Sequence, residues 1–238
     1  MTKILSFQTH EIAEFISWSY FFYAWGIPAK FATITKIHHC TACMSSWIES
    51  FETQKDRLRA TEAAKLYRDA IEILNEVDGK FDYRGVFEIF DANSQGDDIL
   101  IFHNDSHITT IPCLRQQTNH SQDGICLCLA DFIRPIESGI HDKIGVFVSS
   151  NAKEMEQLYP SDDYKHMLCQ TLSDRLAEAG TEKLHSLIRR KYWGYAPNEN
   201  LSIEDVLSGK YQGIRPAVGY PSLPDQSVIF ILNQLIGF

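Results

Sequence analysis

The sequence has no surplus of basic residues: 22 lysines and arginines stand against 31 aspartates and glutamates, a formal net charge of −9 at pH 7. A sequence-indifferent nucleic-acid binder needs a basic surface to displace counterions, so this balance argues against nucleic acid as a partner. No run approaches the ~18–20 apolar residues of a membrane-spanning helix, and the aromatic stretch from Ser19 to Ile27 is too short for one. The N-terminus lacks the apolar core of a signal peptide, because Lys3 leads into a mixed stretch holding His10, Glu11 and Glu14. The 6 cysteines have no regular spacing, which is not the framework of a secreted, disulfide-stapled domain. These absences predict a cytoplasmic protein that is not attached to a membrane. Also missing are a Gly-x-Gly-x-x-Gly nucleotide loop, a Walker motif and a Ser/His/Asp nucleophile elbow.

What is present is ordinary globular composition, 44% hydrophobic and 22% charged over 238 residues, enough for one large domain or at most two small ones. Residues 11 to 25 read as an apolar, aromatic-rich helix or extended segment ending near Gly26 and Pro28. Ala63, Leu66, Ala70, Ile73, Leu74 and Val77 recur at helical spacing, and Gly79 closes that helix. Short β-rich runs follow at 85–90, 99–102, 126–133 and 143–149, with turn chemistry at 93–97 and 137–139. Cys126 and Cys128 alternate within such a run, so they are expected to face opposite sides. A long helix is predicted from about 162 to 192 with Leu168, Leu172, Leu176, Leu184 and Leu187 mostly on one side. Asp174, Glu178 and His185 fall on the other side, where spacing alone predicts a solvated polar face. Pro224-Asp225 looks like the start of a last short helix through Leu235. Strands grouped in the middle, with helices before and after, indicate an α+β fold.

The most informative segment runs from Gly213 to Pro224. Pro216, Pro221 and Pro224 fix φ and remove backbone donors, while Gly213 and Gly219 permit turns and close ligand approach. The expected result is a stiff loop presenting Arg215, free backbone N–H groups and the Tyr220 ring. An arginine held this way suits bidentate recognition of a carboxylate or phosphate. A proline-rich connector with a solvated arginine is the alternative.

That loop, with Tyr211-Gln212 before it, resembles the activation domain of cobalamin-dependent methionine synthase. So do Asp174-Arg175-Leu176-Ala177-Glu178, Leu114-Arg115-Gln116-Gln117, Leu129-Ala130-Asp131-Phe132 and the stretch from Arg189 to Leu201. The resemblance covers about Ile16 to Leu235. It implies one α+β domain over 1–238, built on a bent antiparallel sheet with flanking helices. It also implies a function: reactivation of the synthase, with S-adenosylmethionine donating a methyl group for reductive methylation of cob(II)alamin held on a partner. The expected partners are a cobalamin-binding methionine synthase polypeptide and a flavodoxin-type reductant. No catalytic residue is implied, and little turnover is expected of this chain alone.

Carried over residue by residue, the resemblance assigns Arg215 to the carboxylate of S-adenosylmethionine and Glu178 to its ammonium or ribose. Ala217 and Gly219 are assigned backbone contacts with the adenosine, and Tyr220 a contact near the cation. Ser17, within Ile16-Ser17-Trp18-Ser19-Tyr20-Phe21-Phe22, stands where the family has an aspartate; it can hydrogen-bond an ammonium but not neutralise it. The family also continues beyond the position of Phe238, so a pocket completed elsewhere or a weaker one is expected. A non-catalytic docking or regulatory protein of the same fold is the rival reading. Around 30–55 this chain carries an insertion that includes His38, His39, Cys40 and Cys43. These are zinc-type ligands without a second knuckle nearby, and a redox pair or ordinary buried cysteines are the other readings.

Overall fold

A short strand, β1 (Lys3–Phe7), opens the chain and leads into helices α1 (Thr9–Ile12), α2 (Trp18–Ala24), α3 (Thr41–Glu49) and α4 (Gln54–Val77). Strands β2 (Tyr83–Gln95), β3 (Asp98–His103), β4 (Ser106–Pro112) and β5 (Asp142–Ser150) follow, then helices α5 (Asp163–Leu187), α6 (Ile203–Leu207) and α7 (Val228–Ile236). The structure is a computed structural model and describes residues 1–118, 124–150 and 153–238. The sheet order is β1-β2-β3-β4, with β5 also pairing β2, and the β2–β3 and β3–β4 pairings are antiparallel. This is the α+β class that the strand grouping predicted.

Turn chemistry sets the two hairpin registers. Gln95 pairs with Asp98, and Gly96 between them takes φ 61°, as the first position of a type II′ turn requires. His103 pairs with Ser106, and Asn104 and Asp105 both adopt positive φ, the type I′ pattern. Asn93 and Ser94 were expected in a turn; they lie inside β2 instead. Their side chains hold a neighbouring segment: Asn93 Nδ2 donates to the carbonyls of Arg134 and Ile140, and Ser94 Oγ to that of Ile133.

The expected strand over 126–133 does not form. Residues Leu129–Phe132 make a 3₁₀ turn, because the Asp131 carboxylate accepts the Cys128 N–H at 3.0 Å and competes with any ladder. Cys128 is buried and Cys126 only half-buried, so the two do differ in facing, although not as members of a strand.

Two compact units share the chain. The first comprises Met1–Ile4, Val86–Val148 and Gln212–Phe238. Its core joins Phe90, Ile99, Ile101 and Ile111 of the sheet to Val228 and Ile236 of α7, with Leu223 of the proline-rich loop. The second comprises Leu5–Gly85 and Ser149–Tyr211. There the predicted apolar positions of α4 are all buried, as are Leu168, Leu172, Leu176 and Leu184 of α5. Each such leucine contributes about 1.5–3 kcal/mol by leaving water. Thr53 caps α4 through Oγ1 to the Asp56 N–H, and Asp162 caps α5 through Oδ1 to the Lys165 N–H, both at 3.0 Å. At its far end α5 widens into a π turn over Ile188–Tyr192, where the Trp193 N–H reaches the Ile188 carbonyl at 2.8 Å.

Candidate functional site

The proline-rich loop belongs to the first unit and folds as a small closed structure. The Gly219 N–H donates to the Leu223 carbonyl, and the Leu223 N–H to the Tyr220 carbonyl, each at 2.8 Å. The Tyr220 N–H reaches the Ala217 carbonyl at 3.1 Å. Gly219 sits at φ 95°, a conformation strained for any L side chain, and a Cβ there would come within 3.3 Å of the Gln226 side chain. Free N–H groups were expected along this loop. Those of Gly219, Tyr220 and Leu223 are instead consumed within it, and that bonding stiffens the loop as much as the prolines do.

Two anchors hold the loop to its unit. Leu223 is buried in the core, and the Leu129 N–H donates to the Ser222 carbonyl at 2.9 Å. Leu129 is itself positioned by a bidentate pair one turn away. Arg115 Nη1 and Nη2 grip the two Asp131 oxygens at 2.8 and 2.7 Å, and Nη2 also meets Asp97 Oδ1 at 2.6 Å. The Arg115 guanidinium holds the Asp131 carboxyl below the usual carboxylate range. The strings 114–117 and 129–132 are thus joined to each other and to the Arg215 loop. Spacing could not have paired Arg115 with Asp131; only the fold does. The exposed face of the loop is made by Ala217, Gly219 and Tyr220, the last 60% exposed, whereas Arg215 is half-buried with its Nε and Nη1 covered.

Ser17 and Glu178 belong to the second unit. Ser17 precedes α2, where its carbonyl accepts the Phe21 N–H at 3.0 Å, and its side chain makes no cap. Glu178 is exposed on α5 and accepts from Arg175 Nη1 at 2.8 Å. Asp174 is exposed as well, in keeping with a solvated face.

His185 departs from that expectation. It is 6% exposed, and its Nδ1 accepts from Arg189 Nη1 at 2.8 Å. Arg189 is fully buried, bonds Glu199 through Nε at 2.9 Å and Nη2 at 2.5 Å, and lies over the Tyr211 ring at 4.3 Å. The helical period identifies only one covered face of α5. The segment from Arg189 to Tyr211 covers this end from another direction and turns a polar stripe into a buried network. A cavity of about 230 Å³ in the same unit is lined by Glu14, Phe15, Lys183, Arg190 and Leu201 among others, and by none of the predicted site residues.

In the insertion, one ligand atom each from His38, Cys40 and Cys43 lie within 4.8 Å of one another. His39 is not part of this cluster; its ring packs on Tyr67 with centroids 5.1 Å apart. Cys40 is exposed and Cys43 half-exposed, so the reading of ordinary buried cysteines does not hold for this pair. The Cys43 backbone N–H, with help from His38, brings the Cys40 thiol down to about 7.

The family model described as "Vitamin B12 dependent methionine synthase, activation domain" matches residues 8–238. Among solved structures, the crystal structure of the MetH reactivation domain bound to AdoHcy is similar, with a TM-score of 0.81 and 32% sequence identity. That alignment covers 99% of this chain and 70% of that one.

Proposed function

The chain belongs to the activation-domain family of vitamin B12-dependent methionine synthases, and from that premise we propose that it binds S-adenosylmethionine as the methyl donor for reductive methylation of cob(II)alamin held on a partner polypeptide. The observation that carries this reading is the family match over 8–238 combined with an intact, internally braced Arg215 loop. Arg215 offers a planar, permanently charged fork to the donor's carboxylate. The exposed Tyr220 ring offers an aromatic face to its cation, worth about 0.5–2 kcal/mol. Ala217 and Gly219 supply backbone beside it, and Glu178 and Ser17 are assigned the ammonium or ribose by motif position.

The corrinoid supplies the nucleophile that takes the sulfonium methyl. The residues of this chain bind and orient the donor, a contribution of positioning and not of proton transfer. No general base is needed, and none is assigned. The chain is thus a component of a methyltransferase with little turnover alone, served by a flavodoxin-type reductant. The chain passes between its two units at 4/5, 85/86, 148/149 and 211/212, which supports reading 1–238 as one module. Its cysteines are free among the described residues, which fits a cytoplasmic setting.

Ser17 favours a second reading, a docking or regulatory protein that has lost the ligand, because a neutral hydroxyl replaces a carboxylate. Two measurements separate the readings. Methylcobalamin should form from S-adenosylmethionine and a reductant when a separate cobalamin-loaded methionine synthase polypeptide is present, and not with free cob(II)alamin; equal rates in both would remove the partner from the proposal. Ser17→Asp should tighten S-adenosylmethionine by about tenfold, since a hydrogen bond to a charged group is worth about 1.5–3 kcal/mol. Absence of calorimetric binding in both parent and Ser17→Asp would favour the docking protein.

A further inference from the structure

We propose that His38, Cys40 and Cys43 form a zinc site with three protein ligands, carried by the insertion and independent of S-adenosylmethionine binding. The local sequence builds it. Cys40 stands at the N-cap of α3, where its Sγ accepts the Cys43 N–H at 3.5 Å. The two-residue spacer then sets Cys43 one helical turn further on, so both sulfurs gather at the helix start. His38 folds back to the same point, with Nδ1 accepting the Cys40 N–H at 3.3 Å.

The donor set determines the metal class. Two thiolates and one imidazole are soft to borderline ligands, which suit Zn²⁺ and disfavour Mg²⁺ or Ca²⁺. Zinc–sulfur bonds of about 2.3 Å in a tetrahedral site place two sulfurs about 3.8 Å apart. The ligand atoms here lie within 4.8 Å, so closing on an ion requires about 1 Å of side-chain rotation at an exposed position. Three ligands leave the fourth tetrahedral position to water or an incoming thiolate or imidazole.

The insertion has packing of its own, which separates metal binding from folding. Trp47 of α3 is 8% exposed, donates through Nε1 to Thr33 Oγ1 at 3.1 Å, and meets the Phe51 ring edge-on at 5.2 Å. Phe51 in turn lies 4.9 Å from the ring of Phe31, which is fully buried. Substitutions at Cys40 or His38 leave this cluster untouched, so the variants should fold like the parent.

The test is anaerobic titration of the reduced full chain with Co²⁺, then competition with Zn²⁺ against a chromophoric chelator. One equivalent should bind, with sulfur-to-cobalt charge-transfer absorption and the strong visible bands of tetrahedral cobalt, both displaced by zinc. Loss of an outer-shell partner costs metal sites about 10–100-fold in affinity, so loss of a ligand in Cys40→Ser or Cys43→Ser should cost at least that. His38→Ala should weaken binding while His39→Ala leaves it unchanged. Three outcomes would overturn the site: no charge-transfer band in the reduced parent, full binding by the Cys40→Ser/Cys43→Ser double variant, or equal effects of His38→Ala and His39→Ala. The first of these, accompanied by a Cys40–Cys43 disulfide under air, would mark a dithiol pair instead.

Discussion

Glu199→Ala should destabilise the second unit by about 3–5 kcal/mol, the usual cost of stranding one member of a buried ion pair. The Arg189 side chain is 0% exposed and that of Glu199 only 7%, so solvent cannot replace the lost carboxylate. Its guanidinium would keep His185 and the Tyr211 ring but lose both bonds to Glu199. Arg189→Ala should cost a similar amount, since it leaves a buried carboxylate and opens a cavity beside Tyr211. Arg189→Lys should rescue little, because an ammonium can neither bond both carboxylate oxygens in a fork nor stack on the ring. Replacing both partners together, as Arg189→Met with Glu199→Leu, should cost much less than the sum of the single changes. Urea unfolding of the four variants beside the parent checks this order. Additive losses would show that the pair is not the unit of stability, and losses under about 1 kcal/mol would show that water reaches it.

This network was not legible from spacing, and the reason is physical. Periodicity registers one apolar stripe per helix, and on α5 it correctly located Leu168, Leu172, Leu176 and Leu184. His185 and Arg189 are buried by their polar atoms' mutual satisfaction, which leaves no apolar signal. The same limit moved the start of α4. Its first turns, from Gln54 to Arg59, are polar apart from the exposed Leu58, so the pattern became visible only from Ala63 although Thr53 caps the helix earlier. Strand β4 escaped for a related reason: Ser106, His107 and Ile108 are exposed and only Ile111 is fully buried, so no alternation marks it. The apparent strand at 126–133 is the converse error. Ile125, Cys126, Leu127, Cys128 and Leu129 look like a strand in composition, but Asp131 captures the Cys128 N–H and is captured in turn by Arg115.

The loop around Arg215 was legible because its residue types are forced by backbone geometry. A glycine at φ 95° and prolines flanking a closed turn have few alternatives, so the pattern is long and irregular enough to be recognised. Which N–H groups the loop keeps for itself was not readable, since that depends on the Gly219–Leu223 closure. Arg115 was also invisible as a support. Its role arises only when the fold brings 97, 115 and 131 together, and from there it reaches the Arg215 loop through Leu129 and Ser222.

Arg215→Ala should weaken S-adenosylmethionine binding by about 2–5 kcal/mol, that is by at least about thirtyfold, if the loop serves the donor's carboxylate. Arg215 is half-buried and stands just before the segment from Ala217 to Leu223 that closes on its own hydrogen bonds, so the backbone beside it spends little ordering entropy on binding. Arg215→Lys keeps the charge and loses the fork, and should fall between parent and alanine. The control must be chosen from the structure. Leu223 is 5% exposed and belongs to the core, so truncating it would loosen the loop and mimic a site defect. Ile214 is 48% exposed, and Ile214→Ala should leave binding within about twofold of the parent, as surface substitutions usually stay within ±0.5 kcal/mol. Calorimetric titration of the four proteins, with thermal melting to confirm that each is folded, gives the comparison. Equal affinity in Arg215→Ala and parent would take the carboxylate away from Arg215 and leave the loop as a structural connector. A graded loss from isoleucine control through lysine to alanine would instead mark a charge and a geometry acting together, which a solvated arginine cannot produce.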